Sequence, residues 1–240
     1  MLLQGNFLRY RQLIKGDLYR DKCSHFYFFC IKVDYVDGRF SAPTTGLEAN
    51  LGRMPVATIG DQSIGQSSAI NTYFASEFGL MGSNNIEAAH IVSISEHLKE
   101  MHTQYKTLVP WATEPKPEAQ DKWFEGGAQD LTGVAVRNDQ SVRYLSWWLG
   151  RMEPTLGTKG FAVGNKLSLA DVMLFSSFAD SLTPEQARPK LPVWRREPFG
   201  SKERTNEALQ KHPRILASCN AVASNENIKK WLSIRGLQDF

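Results

Sequence analysis

The chain has 240 residues, with 28 Lys and Arg against 25 Asp and Glu, so its formal charge is only +3 with the five histidines neutral. That balance excludes a polybasic or polyacidic tail protein, and 42% hydrophobic with 22% charged residues excludes disorder over most of the length. The longest greasy stretch, Phe26 to Val33, is broken by Lys32 and falls well short of the ~20 apolar residues that a bilayer span needs. Cys23, Cys30 and Cys219 make no disulfide framework, and no Cys/His spacing reads as a zinc site, so a reducing compartment and no metal are expected.

In the first 24 residues Arg9, Arg11, Lys15, Arg20 and Lys22 outnumber Asp17 and Asp21, and no apolar core of a secretory signal is present. Two readings stay open there: a remnant of an organellar import peptide, or a divergent first strand. Residues 22–31 have the density of a buried helix, and residues 33–36 alternate as a strand does. Asp37-Gly38, Pro43 and Gly46 then mark irregular chain. Extended residues resume at Met54, and Gly60-Asp61 turns them into a hairpin over 56–64. Ala69, Ile70, Tyr73 and Phe74 recur at helical spacing, with Ser67 or Ser68 expected to cap that helix. The α/β pattern ends near Gly79, Gly82 and Asn84-Asn85, which puts a domain boundary at 83 and divides the chain into 1–83 and 84–240.

Beyond the boundary the pattern is helical throughout. Ile91, Ile94, Leu98, Met101 and Tyr105 step by three and four. Pro110, Pro115 and Pro117 interrupt the chain, and Val142, Leu145, Trp148 and Leu149 mark a further helix. Ser168-Leu-Ala-Asp171 is a capping box that starts another helix, with Leu167 and Val172 as its hydrophobic staple. Residues 183–206, with Pro184, Pro189, Pro192 and Pro198, read as a long surface loop, and 228–234 as a last helix.

Several of these features together resemble the cytosolic glutathione transferases. They are Met54-Pro55-Val56, the Gly-Asp hairpin, Gln66-Ser67 with Ala69-Ile70 and Tyr73, the run Gly164-Asn-Lys-Leu-Ser-Leu-Ala-Asp171 and the tail His212-Pro213-Arg214. Val109-Pro110-Trp111-Ala112 is most similar to the sigma type. The resemblance implies a thioredoxin-like α/β domain over 1–83 that binds glutathione, and an all-α domain over 84–240 that binds a hydrophobic electrophile. It further implies glutathione as co-substrate, a cytoplasmic enzyme of conjugation or isomerisation, and a homodimer packed across the first helices of the second half. No nucleic-acid partner is expected, because Glu197 and Glu203 dilute the basic loop Trp194-Arg195-Arg196.

The implied site follows residue by residue. Met54 and Pro55 would turn the Val56 backbone toward the cysteinyl amide of the tripeptide, which pairs with it like an added strand. Gln66 and Ser67 stand at a helix N-terminus, where free N–H groups and the positive dipole end favour the γ-glutamyl carboxylate. The plainer reading of Ser67 is a helix cap. Glu96 falls where the family places an acid that reaches across the dimer to the γ-glutamyl ammonium; its alternative is a solvated helix carboxylate. Trp111 is a candidate wall of the electrophile pocket, whereas Trp147 and Trp148 fit the core. His97 and His102, five residues apart, point about 140° away from one another on a helix and do not suggest a metal.

The chain departs from the family at its N-terminus. A hydroxyl at the end of the first strand should stabilise the glutathione thiolate, yet ungapped counting from Tyr35 puts Ile14 at that position. Tyr10 takes the role if the loop holds four extra residues. The alternative is a chain without a tyrosine donor, kept as a binding or assembly subunit of a larger complex, to which the long 183–206 loop would also be suited.

Overall fold

The computed structural model describes residues 47–53, 55–110, 113–126, 143–187 and 191–235, and a tight hairpin follows the short helical turn Glu48–Asn50 with which they begin. Strands β1 (Val56–Ile59) and β2 (Gln62–Gly65) pair antiparallel, with Val56 opposite Gly65 and Ile59 opposite Gln62. Gly60 turns between them at φ 58°, a left-handed conformation that a residue without Cβ adopts freely. Ala57 meets Ile70 in a small core flanked by Ile59, Ile64 and Phe74, so the hairpin lies against the helix that follows it. The helix expected over 22–31 and the strand over 33–36 lie outside the described residues.

That helix, α1 (Ser67–Glu77), is followed by α2 (Asn85–Leu108). Asn84 caps α2 by accepting from the Ile86 and Glu87 amides, both at 3.0 Å. The inward stripe of α2 is Ile91, Ile94, Leu98 and Met101, as the periodicity requires. Tyr105, at the end of the same stripe, donates its hydroxyl to the Phe199 carbonyl at 2.9 Å. A third helix, α3 (Pro117–Glu125), starts where the sequence suggested only interruption. Proline at the first helical position has no amide to leave unpaired, so Pro117 begins this helix instead of breaking one.

The helical half continues with α4 (Leu145–Met152) and α5 (Leu169–Phe178). Trp148 is buried, as anticipated, but Trp147 is only partly covered, with the Arg143 guanidinium 4.5 Å from its ring centre. The capping box forms, and Asp171 is fully buried within it. One oxygen of that carboxylate accepts from the Ala162 amide at 2.7 Å and the Ser218 hydroxyl at 2.7 Å; the other accepts from the Ser168 amide at 2.9 Å and hydroxyl at 2.6 Å. Next to it, the Leu169 amide bonds the Leu80 carbonyl at 2.9 Å and ties the start of α5 to the segment joining α1 and α2.

Residues 183–206 are not simply a surface loop. Pro198 and Phe199 are buried, and the Phe199 ring packs on His102, Tyr105, Trp123 and Phe178 with centroids 5.1–5.9 Å away. Helix α6 (Lys202–Leu209) begins inside the stretch, with Ser201 accepting from the Arg204 amide. Only Thr205 and Leu209 of α6 are buried, which is why no apolar period announced it. Helices α7 (Pro213–Ala223) and α8 (Glu226–Ile234) complete the described chain. Asn225 caps α8, so that helix starts two residues before the apolar pattern does. After it, Arg235 reaches back to Asp180 at 2.8 Å, the Ser181 carbonyl at 2.5 Å and Gln186 at 3.1 Å, with both charged side chains almost wholly buried.

Candidate ligand site at the start of α1

The candidate site is assembled from the hairpin and the first turn of α1. A Cβ added at Gly65 would stand 2.2 Å from the Ala49 carbonyl oxygen, so only glycine lets β2 lie against the single helical turn Glu48–Asn50. From that turn the buried Asn50 donates through Nδ2 to the Pro55 carbonyl at 3.1 Å, holding the chain as it enters β1. Sequence reasoning passed over Asn50; its only signal was a polar residue just before Met54-Pro55. Val56 is buried and paired with Gly65 on one edge.

Gln66 links β2 to α1 with φ 68° and ψ 126°, a conformation rare for a residue with a side chain and the kind of local strain that persists at functional positions. The expectation that Ser67 or Ser68 caps this helix is overturned. Gln66 is the N-cap, its side chain makes no capping bond, and both serines already lie inside the first turn, where a hydroxyl does not reach the free amides ahead of it. The first backbone bond of the helix runs from the Ile70 amide to the Gln66 carbonyl at 3.0 Å, which leaves amides at positions 67–69 without a helical acceptor. Ser67 is 4% exposed, and its hydroxyl has no hydrogen-bond partner among the described residues.

Ser68, one position further, looks across to α2. Its hydroxyl donates to Glu96 Oε1, while Lys99 Nζ lies 3.3 Å from the same hydroxyl and 3.2 Å from Glu96 Oε2. Partial burial acts to raise the Glu96 carboxyl, but the bonds from Ser68 and Lys99 and the Lys99 charge together hold it below the ordinary carboxylate value. Within its own chain Glu96 thus accepts from the first turn of α1. A shallow groove beside it is lined by Asn71, Thr72, Val92, Leu169 and Met173. Lys99, which sequence reasoning did not single out, follows Glu96 by three residues on the partly exposed face of α2 and had only that spacing to mark it.

Tyr10, Ile14, Met54 and Trp111 lie outside the described residues. The structure thus brings together Pro55, Val56, Gln66, Ser67 and Glu96. His102 turns inward to Ser177 at 3.1 Å, while His97 keeps to Ser93 at 3.4 Å. Burial and the nearby Asp171 push the Cys219 thiol up to about 12, so it supplies no thiolate near neutrality. Among the described residues no helix is long and apolar enough to cross a membrane.

No family model matches the chain. It is 29% identical over 128 residues to a glutathione S-transferase of Dirofilaria immitis, which covers 52% of each chain. It is 24% identical over 186 residues to a probable glutathione S-transferase 6 of Caenorhabditis elegans, covering 77% of this chain and 74% of that one. The chain thus spans about half the length of the first relative and about three quarters of the second. Among solved structures, a monomeric glutathione S-transferase from the hookworm Necator americanus superposes with a TM-score of 0.57 at 20% identity, over 81% of this chain and 80% of that one. The fold is therefore the glutathione transferase fold, a thioredoxin-like domain followed by an all-helical one. In sequence the chain is thus similar to glutathione S-transferases, with no subclass singled out.

Proposed function

We propose that the chain is a glutathione transferase that joins glutathione to a hydrophobic electrophile or isomerises one with its help. The observation that carries this reading is the start of α1: a strained Gln66, no side-chain cap, free amides, and Ser67, a buried residue whose hydroxyl is not engaged by any partner among the described residues. A helix end in that state is prepared for a carboxylate, and the γ-glutamyl group supplies one. Residues 1–83 form the tripeptide-binding domain on this reading, with Met54, Pro55 and Val56 receiving the cysteinyl backbone. Residues 84–240 receive the electrophile, with Trp111 on the pocket wall. Tyr10 donates its hydroxyl to the thiolate, and two copies pack across α2. The relatives named as glutathione S-transferases support this activity over a purely structural role.

The test is retention on immobilised glutathione, followed by turnover of a chlorodinitrobenzene-type electrophile. Retention with turnover that drops about ten- to a thousandfold in Tyr10→Phe is the expected result, the range for losing one donor to a developing anion. Retention with background turnover that Tyr10→Phe does not change removes the tyrosine mechanism and leaves a binding subunit. No retention at all overturns the reading.

A further inference from the structure

We infer that Ser68, Glu96 and Lys99 form a closed clamp within one chain that positions the first turn of α1 and cancels the carboxylate charge beside it, so that the free helix end stays available to an incoming carboxylate. The inference rests on the glutathione reading for the identity of that ligand, but the clamp itself is drawn from geometry alone.

Each member of the triangle touches both others. The Ser68 hydroxyl donates to Glu96 Oε1, and Lys99 Nζ reaches Ser68 Oγ at 3.3 Å and Glu96 Oε2 at 3.2 Å. Ser68 sits in the first turn of α1, immediately after the buried Ser67. Glu96 and Lys99 share one face of α2, whose Ile91, Ile94 and Leu98 are anchored in the core. The bonds therefore run from a rigid element to the end of a short one, which is how a neighbouring helix sets the position of a ligand-binding turn.

Glu96 alone would work against its neighbour. A carboxylate at a helix N-terminus already satisfies the positive end of the dipole and repels a second carboxylate. Lys99 removes this conflict by pairing with Glu96 on its far oxygen, leaving the hydrogen bond to Ser68 in place. The three residues thus divide the work. Glu96 is a positioning residue that acts through Ser68, and Lys99 decides whether the site accepts an anion. This assignment differs from the cross-subunit role expected for Glu96 from sequence, because it places the whole device in one chain.

The experiment compares Ser68→Ala, Glu96→Ala, the Ser68→Ala/Glu96→Ala pair, Lys99→Met and Lys99→Met/Glu96→Gln by glutathione KM and kcat, and by amide hydrogen exchange of residues 67–70 without ligand. The clamp predicts that Ser68→Ala and Glu96→Ala each raise KM about three- to tenfold, the span of one net hydrogen bond, with a smaller change in kcat and no further loss in the pair. Exchange in the first turn should quicken in both single variants. Lys99→Met should raise KM, and adding Glu96→Gln, which removes the uncompensated charge, should restore much of the loss. A silent Ser68→Ala beside a damaging Glu96→Ala means that Glu96 meets the ligand directly and overturns the positioning role. Unchanged exchange overturns the clamp whatever the chain binds. Quickened exchange in a protein whose wild type does not bind glutathione leaves the clamp standing and overturns the glutathione reading instead.

Discussion

Three helix starts in this molecule solve the same problem in two opposite ways. At α5 the first turn is closed: the box residue Asp171 is fully buried, and its two oxygens accept from Ala162, Ser168 and Ser218. At α7 a carboxylate is again supplied from inside, where Glu153 accepts the Arg214 and Ile215 amides at 2.8 and 3.1 Å. At α1 the first turn has no side-chain cap, follows a residue at φ 68°, and holds in Ser67 a hydroxyl without a partner among the described residues. The closed ends hold the helical domain together. The open end keeps its hydrogen-bonding capacity in reserve, and a fold accepts that cost where a ligand completes the cap.

The contrast breaks first at Asp171. Asp171→Ala strips the acceptor from one hydroxyl pair and two buried amides at once, and should cost about 3–5 kcal/mol of stability, read as a large fall in Tm. If the variant melts like the wild type, the box is ornamental and the comparison fails. Ser67→Ala tests the other side. Because the Ser67 hydroxyl has no partner among the described residues, its removal should shift stability by less than about 0.5 kcal/mol. Glutathione affinity should nevertheless fall by about 1.5–3 kcal/mol, the worth of one charge-assisted hydrogen bond, in calorimetric titration. A stability loss without an affinity loss would reassign Ser67 to the structure.

How far the sequence could be read follows the same division. The α5 start was legible because Ser168 and Asp171 form a local pattern whose chemistry closes within four residues. The α2 stripe was legible because burial on one face enforces a period. The ligand role proposed for Gln66 and Ser67 was legible only through resemblance, since alone they look like an ordinary cap, and here the ordinary reading failed at the level of backbone dihedrals. Asn50 and Lys99 were not legible at all. Their roles depend on where distant segments meet, and neither changes any local pattern. The α6 helix escaped for a different reason: Arg204 pairs with Asp121 and Glu125 of α3 at 2.9 and 2.7 Å, so much of what docks that helix is charge, which hydrophobic periodicity does not report.

The smallest expected effect concerns acid, and it sharpens the comparison at the link between α1 and α2. Glu96 is held below the ordinary carboxylate value; partial burial opposes this, and the bonds from Ser68 and Lys99 with the Lys99 charge outweigh it. A carboxyl whose folded value is depressed adds stability that is complete above its unfolded value, near 4.5, and that disappears as the pH falls through the lower folded value. Wild type minus Glu96→Gln should therefore show a Tm difference that is flat from neutral pH down to about 5 and shrinks below 4.5. The Glu96 and Lys99 side chains are 43% and 39% exposed, so solvent screens the pair and salt should shrink the difference further. A difference that grows in acid would have the wrong sign for a depressed carboxyl. One that ignores both acid and salt would mean that the Ser68 bond alone joins the two helices, with Lys99 a bystander.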